Sequence, residues 1–521
     1  MNEHSKNARH RLFAAIAAGT TIAAVGLAAA PALADKKSDT LVWATDRENP
    51  IADPYFLNTR ELVIVGHHVW DTLVLTDAAT GDIKPLLATS WKWANNTTLE
   101  LELREGVKFH SGKVLDADDV VYTLNFAANK DNAIMNFAQL EWIASAERID
   151  GRRVRINLKR PFPPALAYLA GIGFIMQRGH YDSAPARADG KKDYGAVKPN
   201  GTGPYRITEV KPGDFIHMVR NADYFRNGVK GYPAIGALRF RTIKDQNTRL
   251  AELMTGRLDW IWDVPKDQAE RIKANPAVLV ENAKTMRVAY LAFDAKGVSD
   301  AKFFTDRRVR QAFAHAINRE QIAVSMMGPA SVAIHAACHP DQFACATDVP
   351  KYDYSPEKAR ALLKEAGYPN GFEFNLYAYR DREFTEAVIG DLARVGLKPR
   401  LNYLQYTAWQ EAVRKGRATV AHGTWGSNSV PDVSASAAQF FSGGADDQAH
   451  DELVIKMIAE ADRQTDPVRR RELWQKVLAR IAAEVYWVPL YSYAKYYAFS
   501  KDLDFKPTSD EMPQFYAARW R

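Results

Sequence analysis

The segment Ser355-Pro-Glu-Lys-Ala-Arg-Ala-Leu-Leu-Lys-Glu-Ala-Gly367 narrows the fold more than any other in the chain. Ser stands where a helix N-cap accepts a backbone N–H. Pro suits the first helical position, where its missing N–H has no partner to lose, and Gly supplies the left-handed stop. The residues that follow repeat this punctuation. The turn Pro369-Asn-Gly371 leads into a strand over 373–379, and a helix over about 383–395 ends at Gly396. A strand over 399–406, a helix over 407–415 and a strand over 418–422 come next, and a helix opening at Asp466-Pro467 runs to about Val485. Such alternation predicts an α/β domain with a largely parallel sheet. Before about Arg160 the chain is strand-rich instead, with β-type segments at 40–44, 99–103 and 153–158. Pro161-Phe-Pro-Pro164 and a polar loop over 182–200 are seams, and 521 residues are long for one core, so two or three domains are expected.

Residues 1–34 read as an address. Lys6, Arg9 and Arg11 make a basic start, an apolar Ala-rich run follows, and Ala32-Leu33-Ala34 is a small-x-small cleavage site, so the mature chain is expected to begin near Asp35. No later run approaches the length of a membrane span. The formal charge is only +7 over the whole chain, with bases and acids interleaved, which gives no reason to expect nucleic acid as a partner.

Several stretches invite a catalytic or metal reading. Gly106-Val-Lys-Phe-His-Ser-Gly-Lys-Val-Leu-Asp-Ala-Asp-Asp-Val-Val-Tyr-Thr-Leu124 holds a His, a Ser and three Asp, but its glycine spacing is wrong for a phosphate loop and neighbours along one chain rarely meet as a triad. It reads better as a turn at Ser111-Gly112 and a helix capped by Asp116, with Asp119 as the capping-box acid. The chain contains no G-x-S-x-G and no H-E-x-x-H. Cys338 and Cys345 stand among His335 and His339 at no standard zinc spacing, and in an exported chain a loop disulfide is favoured, with a metal site and free thiols as the alternatives. His67-His68 are adjacent and so point apart on a helix or a strand, which disfavours shared ligation of one ion.

Seven segments in order resemble the family 5 extracellular solute-binding proteins, the peptide, opine and nickel receptors of ABC importers. They are Pro85-Leu-Leu-Ala-Thr-Ser-Trp91, Leu103-Arg-Glu-Gly-Val-Lys-Phe-His110, Gly201-Thr-Gly-Pro-Tyr205, Asn221-Ala-Asp-Tyr-Phe225, Leu253-Met-Thr-Gly-Arg-Leu-Asp259, Asp306-Arg-Arg-Val-Arg-Gln-Ala-Phe313 and Lys358-Ala-Arg-Ala-Leu-Leu-Lys-Glu-Ala-Gly-Tyr368. The resemblance implies a cluster-C-type periplasmic binding protein, with two main α/β lobes joined by a two-crossing hinge and an inserted extra domain. Lobe I would comprise 35–78, 198–287 and 488–521, lobe II 79–197, and lobe III 288–487. The crossings would fall near Val288-Ala-Tyr-Leu291 and Val488-Pro-Leu-Tyr491, with ligand trapped as the lobes close.

The resemblance also implies where ligand would be held. Trp425, in Gly423-Thr-Trp-Gly-Ser-Asn-Ser-Val-Pro-Asp432, is expected to face the cleft with Ser427 and Asn428. Arg380 matches a position that dipeptide-binding members direct at the ligand carboxylate, where a guanidinium can bind in two-pronged fashion. Those members carry an Asp at the position of Ser427 for the peptide's α-amino group, and here the nearest acid is Asp432. That departure disfavours an ordinary dipeptide, because a buried ammonium without a counter-charge is costly. Asn58, Arg60 and Glu61 fall where members line the cleft from lobe I. The expectation is therefore a monomeric periplasmic receptor for a peptide-like or opine-like solute, partnered by an inner-membrane permease and needing no cofactor and no metal. A nickel or metal-chelate receptor on the same fold is the first alternative, and a secreted hydrolase is the second.

Overall fold

The computed structural model describes residues 38–57, 59–299 and 301–521. The leader and Asn58, both assigned roles from sequence, lie outside the described residues. Among the described residues no helix is long and apolar enough to cross a membrane.

The organising element is a ten-stranded mixed sheet. Its order is Lys398–Tyr403, Glu373–Ala378, Val420–Trp425, Val278–Phe293, Trp487–Ser500, Trp260–Ile261, Thr40–Thr45, Ala237–Thr242, Phe215–Arg220 and Tyr205–Lys211. The two long central strands run antiparallel through both halves of this sheet. The C-terminal part of Val278–Phe293 pairs with Val420–Trp425, whereas its N-terminal part pairs only with Trp487–Ser500, which in turn pairs with Trp260–Ile261. The ladder loses register between Lys284 and Val288 and again between Val288 and Tyr290. The irregular residues thus stand where the chain passes from one half to the other, the first break just before the expected crossing at Val288–Leu291 and the second within it. A bulge locally weakens pairing and increases twist.

The second half carries the alternation read from the sequence. Ser355 Oγ accepts from Lys358 N and caps the helix Pro356–Glu365, and Gly367 at φ 92° ends it. Glu373–Ala378 pairs in parallel with both Lys398–Tyr403 and Val420–Trp425, so the expectation of a largely parallel sheet holds for these three strands and fails at the two antiparallel central ones. A separate antiparallel sheet orders Ala88–Asn95, Thr98–Leu103, Arg153–Leu158 and Ile143–Arg148. The helix Ala117–Ala128 follows the Gly106–Leu124 pattern as read: Asp116 accepts from the N–H groups of Asp118 and Asp119, and Asp119 accepts from that of Asp116. His110 spends both ring nitrogens on the backbone of Gly201 and Gly203, so this stretch is scaffold.

Gly201 and Gly203 press against the end of the helix Arg60–Val69. A Cβ at Gly201 would lie 2.0 Å from the Val69 carbonyl oxygen, and one at Gly203 would lie 2.6 Å from that of His68. Beside them Lys230 Nζ donates to Asp71 Oδ1 and to the His67 carbonyl, each at 2.7 Å, and Thr202 Oγ1 donates to Asp71 at 3.1 Å. This buried, fully partnered cluster holds in place the helix that supplies one wall of the site.

Candidate functional site

Two cavities open on either side of Arg287, at the break in the central strands. The first, about 280 Å³, is lined by Arg60, Ile64 and His67 of one helix, by Ala170 and Ile172, by Asn428 and Ser429, and by the C-terminal segment 510–516. The second, about 700 Å³, lies among 263–270, Met326, Arg380, Phe384 and Tyr493–Tyr496. Arg287 lines both.

The helix Arg60–Val69 presents one face to the first cavity because residues three and four apart lie over one another. Arg60, Ile64 and His67 share that face. Glu61 sits about 100° around the helix and is buried at 4% exposure, with burial pushing its carboxyl up from the usual range. It does not line either cavity, contrary to the expectation from sequence. His67 and His68 diverge as adjacent helical residues must: His67 Nε2–H donates to the Gly171 carbonyl at 3.0 Å and His68 Nδ1–H donates to that of Ile64 at 2.7 Å. Burial pulls both rings down to about 3, so they are neutral at pH 7.

The loop after Trp425 has an unusual backbone. Ser427, Asn428 and Ser429 all have positive φ, at 51°, 50° and 61°. Each costs on the order of 1 kcal/mol or more for a residue with a Cβ, and such strain persists only where surrounding contacts impose it. Ser427 is fully buried and its hydroxyl shares a 2.8 Å hydrogen bond with Ser436, so its side chain braces the loop and does not line a cavity, contrary to the expectation from sequence. Asn428 is exposed toward the first cavity. Ser429 accepts from Arg60 and donates to the Asp510 carbonyl at 2.6 Å, joining the loop to both walls. Asp432 departs from its expected role too: Arg470 donates to its two oxygens at 2.6 and 2.8 Å in a buried pair, which removes it as a counter-charge for a solute.

Trp425 ends its strand, and its indole N–H donates to the Ala435 carbonyl at 2.6 Å. It lines a third cavity of about 150 Å³ with Tyr290, Tyr406, Trp409 and Phe440, within the second half. Arg380 faces the second cavity, paired with Asp381 at 3.1 Å and above the Tyr493 ring at 5.9 Å. The residues nominated from sequence therefore divide, with Arg60 and Asn428 at the first cavity, Arg380 at the second and Trp425 at the third. Arg287 connects them, because it lines the first two and donates to Thr424 Oγ1, at the rim of the third, at 3.3 Å.

Arg287 and Glu511 were not foreseen. Glu511, at φ 58° and 3% exposure, lies 2.8 Å from Lys495, 3.7 Å from Arg60 and 3.9 Å from Arg287. Burial opposes its charge, but the three cations outweigh burial and hold its carboxyl well below the ordinary range. Lys495 also reaches Asp263 at 3.0 Å. A lone Arg in the apolar run Met286-Arg-Val-Ala-Tyr-Leu291 was the available signal for the first residue; no local pattern marks the second.

Cys338 and Cys345 form a disulfide, with Cα atoms 5.8 Å apart, so neither sulfur is a free thiol or a metal ligand. Among the described residues no group of three or more His, Cys, Asp or Glu converges as a metal site.

Comparison with known proteins places this geometry. The profile of the family described as bacterial extracellular solute-binding proteins, family 5 Middle, matches residues 82–448. The glutathione-binding protein GsiB of Salmonella typhi is 27% identical over 95% of both chains. Among solved structures, HbpA2 from Haemophilus parasuis superposes with a TM-score of 0.79 at 24% identity, covering 92% of this chain and all of that one. A dipeptide-binding protein from Pseudoalteromonas sp. SM9913, in complex with Met-Leu, gives 0.76 at 21% identity, with 92% of this chain and all of that one covered. The match across most of the chain, in agreement with the sheet and the cavities at its central break, establishes that this protein belongs to the bacterial extracellular solute-binding proteins of family 5.

Proposed function

We propose that this protein captures a small peptide-like or opine-like solute between two lobes and delivers it to the permease of an ABC importer, acting in the periplasm as a monomer and without covalent chemistry. The division into lobe I (35–78, 198–287 and 488–521), lobe II (79–197) and lobe III (288–487) is part of this proposal. The observation that carries it is the position of Arg287: two cavities meet there, walled by residues from both halves of the sheet and lying against the one irregular stretch of the strands that join them. A cleft spanned by two irregular connecting strands suits closure by hinge motion, and ligand contacts made from both sides would stabilise the closed form. A receptor that binds glutathione and one seen with Met-Leu support a solute built from amino acids. Asn428 and Ser429 of the strained loop and Arg380 offer polar contacts, and the aromatic cavity at Trp425 suits an apolar side group.

Native mass spectrometry of the protein purified without refolding, and again after partial unfolding and washing, tests this. A small organic mass present in the first spectrum and absent from the second is the expected result. A bare protein in both, with no thermal shift from glutathione, dipeptides or opines, would sink the reading.

A further inference from the structure

The first cavity carries more positive charge than its surroundings answer. Arg60 and Arg287 are its two guanidinium groups, and Asp510 is the one acidic residue among its described lining residues. Asp510 is turned into the protein, where Oδ1 accepts from Met512 N at 3.0 Å, and burial pushes its carboxyl up, toward the neutral form. His67 adds no charge, and the other polar lining groups include the neutral Asn136, Gln139, Asn428 and Gln514. Behind the wall Glu511 is a carboxylate shared among three cations, nearest to Lys495 at 2.8 Å and more than 3.5 Å from either guanidinium, and the second acid there, Asp263, reaches Lys495 at 3.0 Å. Gly426 packs closely against Arg287: a Cβ there would lie 3.1 Å from Nη2, so a larger residue would push the guanidinium aside by a few tenths of an ångström.

We propose that the solute carries an anionic group, most simply a carboxylate, that is received between Arg60 and Arg287, and that the cognate solute is therefore net negative. The inference rests on the capture reading above and sharpens it. A guanidinium presents a planar fork that matches a carboxylate through two parallel N–H···O contacts. Cations partly withdrawn from water and incompletely paired are relieved when an anion binds, whereas an ammonium on the same solute would find no free carboxylate in this cavity, so solutes with an excess of negative charge are favoured. Because Arg287 reaches both large cavities and touches Thr424 at the edge of the aromatic one, a carboxylate held there would leave the rest of the solute free to extend toward Arg380 or toward Trp425.

The test is calorimetric titration of the wild-type protein and of R287M and R287K with glutathione, succinate and citrate as anionic probes and Met-Leu and Ala-Ala as neutral ones, at low and physiological salt. At least one anionic probe should bind the wild type more tightly than either dipeptide does. R287M should weaken it by roughly thirtyfold or more, the scale of a lost charge-assisted pair, with R287K recovering part of the loss as a point charge without the fork. Tight binding of the zwitterionic dipeptides, undiminished in R287M and with none of the net-negative probes bound, overturns the proposal while leaving the capture reading intact. Equal weakening of every probe by R287M and R287K, with a lowered melting temperature, assigns Arg287 to the scaffold and overturns the proposal. A wild-type protein that binds no probe and releases no solute on stripping overturns both readings.

Discussion

Glu511 is a buried carboxylate facing three cations, and replacing it by Gln isolates its contribution at almost constant volume. The carboxylate is 3% exposed and faces Lys495, Arg60 and Arg287 at 2.8, 3.7 and 3.9 Å. Removing one side of a buried ion pair leaves the other uncompensated and costs about 3–5 kcal/mol. Here Arg60 and Arg287 lose their shared acid at once while Lys495 keeps Asp263 at 3.0 Å, so E511Q should reach that range in urea unfolding at pH 7 followed by tryptophan emission. The pH dependence carries the mechanism. The folded-state carboxyl lies below its ordinary 4.5, so its contribution is complete above that value and fades as pH falls toward the folded one. Glutamine does not titrate, and the gap between wild type and E511Q should therefore narrow by about 2 kcal/mol between pH 5 and pH 3. A cost below about 1 kcal/mol at pH 7 would show that the cations are satisfied by solvent and refute the reasoning, as would a gap unchanged at pH 3.

Asp53 should behave with the opposite sign. It is buried with Tyr181 Oη–H donating to Oδ2 at 3.0 Å and the Tyr55 N–H donating to Oδ1 at 2.9 Å, and burial pushes its carboxyl from 3.8 up to about 7. The folded state then holds the proton more tightly than the unfolded chain, and stability falls as pH rises through that interval, by up to about 4 kcal/mol. D53N should flatten this slope in melting scans from pH 4 to 8, and parallel profiles for the two proteins would rule the account out. Reducing the disulfide, which links residues seven apart, should lower stability by about 2–3 kcal/mol on loop-closure entropy. The C338S/C345S variant should reproduce that loss and be insensitive to reductant, and an undiminished urea midpoint would argue against it.

The sequence was most legible where structure is decided by near neighbours. The capping box of Asp116 and Asp119, the Ser355 cap and the Gly367 stop depend on residues at most four apart, and these appear as read. Element ends were less exact: the strand expected to reach 406 stops at Tyr403, and the next helix begins at Tyr406. The site was only partly legible, because its charges are brought together from distant segments. Arg60, Arg287, Lys495 and Glu511 converge through the sheet and the C-terminal return, and no spacing rule connects them. The side chains of Ser427, Asp432 and Glu61 turn away from the cavities for a related reason. Each is a polar residue at a plausible position along the chain, but a tertiary partner or the turn of a helix directs its side chain inward: Ser436, Arg470 and the buried face of the Arg60–Val69 helix.

The strand Trp487–Ser500 lies in the middle of the sheet although it comes near the end of the chain. The aromatic packing of the first half depends on the same return, since Trp43 and Trp260 pack against Phe515, and Trp260 also against Phe505 and Tyr497. A polypeptide emerging N-terminus first, from a ribosome or a translocation pore, cannot complete that half until its last residues are free. The core of the second half shares that dependence, because Val488, Leu490, Tyr491 and Tyr493 of the same strand pack into it beside Leu291, Phe313 and Leu376. Release of the C-terminus is thus the event that commits the whole molecule to fold, and a chain shortened by its final twenty residues would leave its opening strand exposed to chaperones and proteases.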